Sequence, residues 1–94
     1  MSHPNQMALC KCAEAWVQQS QDLPDGVAVE RLTHKINALQ EKIHLLSVAS
    51  YRDVEPPAEV AGLSVIDLMA AMSRLTVERA VRTRFAAMDL QVAA

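Results

Sequence analysis

The stretch VERLTHKINALQEKIHLLSVAS, residues 29–50, decides the fold. Within it Val29, Leu32, Ile36, Leu39, Ile43, Leu46 and Ser50 are spaced 3, 4, 3, 4, 3 and 4 apart. Alternating threes and fours put side chains on one stripe of an α-helix, which turns once every ~3.6 residues. The stripe reads as a heptad seam, with β-branched Val29, Ile36 and Ile43 at a and leucine at each d. That choice favours two strands when the helices run parallel. The flanking g positions hold Lys35 and Lys42, and the e positions hold Thr33 and Gln40. No opposite-charge e/g pair therefore selects a parallel partner over an antiparallel one, or over another helix of the same chain. We expect a helix over 27–51 and a homodimer paired along Val29, Leu32, Ile36, Leu39, Ile43 and Leu46. Leu45 and Val48 widen the apolar face near its end, so the helix meets two neighbours there.

Working outward, Leu23-Pro24-Asp25-Gly26 reads as a turn by its Pro, Asp and Gly content. Before it, Leu9, Cys12, Ala13 and Trp16 mark the buried face of a first helix over 5–21. After the seam, residues 52–62 form a connector whose Pro56-Pro57 pair prevents helix continuation. A third helix, 64–90, announces its own start. Ser64 is placed as N-cap, Asp67 three residues on completes an acidic capping box, and Leu63 and Leu68 form a hydrophobic staple. This helix carries two apolar stripes. Val65, Leu68, Met69, Met72 and Leu75 line its first half; Val77, Val81, Phe85 and Met88 line its second. At ~100° per residue the two lie on nearly opposite sides. A helix that changes its apolar side must touch different things at its two ends.

Composition agrees with an all-α single domain over 1–94: three helices with a long central heptad helix, a helical hairpin dimerising into a bundle. Hydrophobic residues are 51% of the chain, yet aromatics are only 3%, so the apolar mass is aliphatic and suits helix packing over sheet. Two glycines are too few for a glycine-rich phosphate loop. A chain this short buries a thin core alone, which makes oligomerisation a natural way to gain burial. The net charge of −2 supplies no bulk drive toward nucleic acid or anionic membrane. Cys10 and Cys12 are too few and too close for a disulfide framework, and no charged leader with an apolar core opens the chain. A cytoplasmic protein is expected.

The constellations that could carry chemistry are thin. His3, Cys10 and Cys12, with Met1 and Met7, suggest a soft-metal site, but two cysteines two apart on a helix diverge by ~200°. The expectation is a buried Cys12 and no metal or cofactor. His34 and His44, ten apart, share no face and are expected in solvent. No nucleophile–base set or paired carboxylates are identifiable, so no enzyme is expected. Ala58, Gly62 and Leu68 have the spacing of a helix-turn-helix, yet Pro56-Pro57 cuts its first helix short and Ser64-Val65-Ile66-Asp67 offers few donors to DNA. Arg74, Arg79, Arg82 and Arg84, interrupted by Glu78, admit two readings. One is an i, i+4 ladder Arg74–Glu78–Arg82 that complements the helix dipole. The other is a docking face, with Val77, Val81, Phe85 and Met88 as apolar anchors and Arg82 and Arg84 on the rim.

Leu32–Arg52 resembles the long first helix of the all-helical chorismate mutase family. Thr33 stands where that family has its first-helix Arg, and Asn37 and Gln40 replace its usual acids, so the likeness is one of heptad physics. In size, helicity and expected dimerisation the chain resembles the small helical antiactivators of quorum-sensing transcription regulators. That outline implies a non-enzymatic homodimer that binds and inhibits a larger protein such as a transcription factor. It assigns no residues. A secretion or assembly chaperone subunit is the alternative, since such subunits are also small, acidic and helical.

Overall fold

The structure is a computed structural model that describes the backbone of residues 4–93 and the side chains of residues 11–88. Three helices follow in order: α1 (Pro4–Gln21), α2 (Asp25–Tyr51) and α3 (Val65–Ala93). The fold is all-α. The Cα trace measures 55 × 28 × 16 Å, an elongated slab set by the lengths of α2 and α3.

The two ends of α2 are set locally. Pro24 sits at φ −55°, ψ 149°, in the extended region, and its carbonyl takes the Ala28 N–H at 2.9 Å, so α2 starts at Asp25. The expected turn is thus shorter than its four residues. Asp25 and Gly26 join the first turn, where Asp25 complements the helix dipole. At the other end, the Asp53 N–H donates to Ser50 O and the Val54 N–H to Ala49 O, with Asp53 at φ 55°. This pair of bonds is a Schellman cap, whose left-handed position normally belongs to glycine. Asp53→Gly removes the Cβ strain and an acid at the negative end of the dipole. We expect it to stabilise the protein by about 0.5–1 kcal/mol, read as a rise of a few degrees in Tm.

Residues 58–62 form consecutive turns, not a helix, so the helix-turn-helix spacing has no first helix behind it. Within them Val60 is fully buried and Gly62 takes a φ of 81°, open to glycine without strain. Ser64 precedes α3 as expected, and its carbonyl takes the Leu68 N–H at 3.0 Å. Both staple leucines reach the core: Leu68 is buried, and Leu63 packs against the same cluster.

The core is one cluster drawn from all three helices: Ala13 and Val17 of α1, Leu32, Ile36 and Leu39 of α2, and Leu68, Ala71 and Leu75 of α3. α3 packs most closely on α2 and next on α1, while α1 and α2 touch least. α2 runs antiparallel to α3, since Asp25 meets Arg82 and Thr33 meets Arg79. α1 runs parallel to α3, since Glu14 meets Arg74 and Gln21 meets Glu78.

Two expectations are corrected here. The heptad seam is filled within the chain. Leu32, Ile36 and Leu39 are at most 5% exposed against α3 and α1, and Ile43 and Leu46 pack half-buried on the same cluster. Those three residues have no surface left for a second copy. Val29 is only half-buried, because Ala28 takes the inward place ahead of Leu32. On α1, Cys12 is exposed; Ala13, Val17 and Ser20 form the inward face, with Trp16 at its edge. Ser20 tolerates burial because its hydroxyl donates to Val17 O at 2.7 Å. The side chains of Leu9 and Cys10 lie outside the described residues, as do those of Met1, His3 and Met7.

Candidate interaction surface

The inner face of α3 runs Leu68, Ala71, Leu75 and then Arg82, all within about 60° of one direction at ~100° per residue. Apolar burial ends at Leu75. Beyond it α3 lies against the start of α2, where polar backbone replaces side-chain core. Arg82 answers that change. Its guanidinium donates to the Leu23 carbonyl, and its Nε stands 2.9 Å from Asp25 Oδ1. That second contact is an ion pair and not an aligned hydrogen bond, since the Nε geometry leaves the proton without an acceptor. The side chain is only 11% exposed. Arg82 therefore latches α3 to the α1–α2 turn and is not a docking rim, contrary to the sequence expectation.

The other arginines divide. Arg74 Nε donates to Glu14 at 2.9 Å, and Nη1 stands 3.5 Å from Glu78. The hydrogen bond to Glu14 raises the Arg74 pKa above its ordinary value. The i, i+4 ladder thus holds from Arg74 to Glu78 and stops there, because Arg82 turns to Asp25. Arg79 is half-buried and donates to the Thr33 hydroxyl at 3.4 Å. Arg84 is exposed and has no ion pair among the described residues.

With the cations drawn inward or to the flanks, the outward face of α3 is left apolar. Ile66, Met69, Val77, Val81, Phe85 and Met88 are between 42% and 77% exposed. Ala70, Ser73, Ala80 and Ala87 lie exposed among them, and Arg84 is the single fully exposed charged residue among the described residues of α3. At 1.5 Å per residue the strip runs roughly 33 Å. The structure thus brings Val77, Val81, Phe85 and Met88 together, as the sequence reading expected. It adds Ile66 and Met69, which that reading missed or assigned inward. The signal was available: Ile66 and Val77 are 11 apart, as are Val77 and Met88, a spacing that returns to the same face of a straight helix.

One cavity, of about 320 Å³, opens between α1 and α2, where those helices pack least. Trp16, Leu23 and Leu32 give it an apolar floor; Arg31, His34 and Lys35 stand on its rim. Lys35 Nζ lies 4.8 Å from the centre of the Trp16 ring, a cation–π contact that caps one side. The rim groups are exposed and do not converge on a point, so the cavity offers contact without a defined chemistry. His44 is exposed, far along α2 from His34. Among the described residues no group of three His, Cys, Asp or Glu side chains could hold a metal, and no helix is long and apolar enough to cross a membrane. No known family, curated protein or solved structure matches the chain.

Proposed function

We propose that the chain acts by protein–protein interaction, as a small non-enzymatic regulator that binds and inhibits a larger protein such as a transcription factor. The outer face of α3 is the binding element. The observation that supports it most is the apolar strip of Val77, Val81, Phe85 and Met88, exposed on a helix whose Arg74, Glu78, Arg79 and Arg82 are engaged elsewhere. Soluble monomers rarely leave a contiguous apolar patch larger than ~300–600 Å² without a use for it. A helix with anchors one turn apart suits a groove on a larger protein, the mode in which α-helical ligands present i, i+4 and i+7 side chains. Arg84, free on the strip, would orient the complex.

The test places a photo-crosslinking residue at Val81 in the protein's own host, with Gln40 on the exposed side of α2 as control. A client trapped from Val81 and not from Gln40 is then titrated against the Val81→Asp, Phe85→Asp variant. We expect a loss of about 2 kcal/mol or more, roughly thirtyfold in affinity, with the helical content unchanged. A client that binds the variant as well as the parent would end this reading.

A further inference from the structure

We infer that in the free protein the outer face of α3 is covered by the same face of a second copy, the two helices antiparallel about a two-fold axis at Val77. This rests on reading that face as an interaction surface, and it names the occupant when no client is bound.

A two-fold interface must be self-complementary. The strip Ile66, Met69, Ser73, Val77, Val81, Phe85, Met88 has spacings 3, 4, 4, 4, 4, 3, which read the same from either end. With Val77 opposite Val77 of the second copy, Ile66 meets Met88, Ala70 meets Arg84, and Ser73 comes near Val81, while Met69 and Phe85 lie at the two edges of the contact. Size complements size, since the small Ser73 and Ala70 face the larger Val81 and Arg84. The 11-residue recurrence of Ile66, Val77 and Met88 corresponds to ~3.67 residues per turn, close to the straight helix, so the strip drifts only about 20° per recurrence. Two such helices stay in contact along their whole strip with little supercoil.

Charge selects the direction. In a parallel pair the exposed Arg84 would face Arg84 of the second copy inside the contact, which is repulsive. In the antiparallel pair it lies opposite Ala70 and three residues, about 4.5 Å along the axis, from Asp67. That distance is within the span of an arginine side chain, and it sets unlike charges together. The area suits a reversible dimer. A strip roughly 33 Å long on a helix ~12 Å wide presents about 400 Å² per copy in projection. Two copies approach the ~1,000 Å² that a specific interface needs, at its weak end. Self-association and client binding then use one face and exclude each other.

The experiment uses the full chain with Cys10 and Cys12 replaced by serine. Single Val77→Cys, Ile66→Cys and Met88→Cys variants are oxidised mildly, and the parent's native mass is followed by light scattering from low micromolar to millimolar protein. We expect Val77→Cys to link to itself, Ile66→Cys alone to link poorly, and a mixture of Ile66→Cys with Met88→Cys chains to form the mixed disulfide. The parent should pass from monomer to dimer with concentration, and Val77→Asp should stay monomeric with unchanged helical content. Self-linking of Ile66→Cys as readily as Val77→Cys would overturn the antiparallel pair. A monomer at all concentrations, with no Val77→Cys link, would overturn the second copy altogether. Neither result touches client binding, which is read by the Val81 crosslink, so the two proposals fail separately.

Discussion

Leu39→Ala is expected to lower the unfolding free energy by about 2–5 kcal/mol, by the same amount at every protein concentration. Leu39 is 2% exposed, in one cluster with Leu32, Ile36, Leu68 and Leu75. Truncating it removes buried methyl groups and leaves a void that neighbours on two other helices cannot fully close. A chain of 94 residues holds about 5–14 kcal/mol on the general scale of ~0.05–0.15 kcal/mol per residue, so the loss is a large share of its stability. The concentration independence tests where the seam lies. Were Leu39 at a contact between chains, the effect would change with dilution and vanish in the isolated monomer. Chemical denaturation at two protein concentrations, with Cm shifted and the slope unchanged, checks both points. A difference between parent and variant that changes with protein concentration would return the heptad seam to the dimer.

The second large effect concerns the latch at the far end of the core. Arg82→Met is expected to cost about 1–3 kcal/mol, because it strands a carbonyl and a half-buried carboxylate together. The Arg82 and Asp25 side chains are 11% and 22% exposed, so water screens their contact less than a surface pair. Asp25 keeps some compensation from the start of α2, where an acid favours the dipole. Without Asp25, Arg82 would keep only its hydrogen bond to the neutral Leu23 carbonyl, with its charge unpaired at 11% exposure. Asp25→Ala is therefore expected to cost at least as much as Arg82→Met. The double variant should cost less than the sum, a coupling that a double-mutant cycle reads directly. By contrast the exposed Arg74–Glu14 pair belongs to the class worth ~0.2–1 kcal/mol. A change within ~0.5 kcal/mol for Arg82→Met, the usual range of a surface substitution, would mean that the latch is solvated.

Such a latch was not legible in the sequence, and the reason generalises to the rest of the site. On the helix alone Arg82 completes an i, i+4 series with Glu78 and Arg74. Its actual partners, Leu23 and Asp25, lie more than fifty residues earlier in the chain and come near only because α2 folds back along α3. Cys12 misled in a similar way. It fits the apolar spacing of α1, but Val17 and Ser20 fit a neighbouring face almost as well. Only contact with α2 and α3 chooses between two faces of a helix rich in small residues.

Local chemistry determined the three helices and most of their boundaries. Leu63 and Leu68 stapled the start of α3, although the Ser64 hydroxyl makes no cap hydrogen bond among the described residues; Pro56-Pro57 broke the chain before it, and the threes and fours from Leu32 to Leu46 specified which side of α2 is buried. These signals act over one or two turns, through backbone hydrogen bonds and side-chain periodicity, so a linear reading captures them. What covers the buried side is another matter. A heptad seam has the same spacing and the same burial energy whether its partner is another chain or its own α3, since apolar side chains carry no label of origin. Tertiary structure made that choice, filling the seam with Leu68 and Leu75 of the same chain. In doing so it turned Ile66, Met69, Val77, Val81, Phe85 and Met88 outward together, because one helix cannot present both of its apolar sides to the same core.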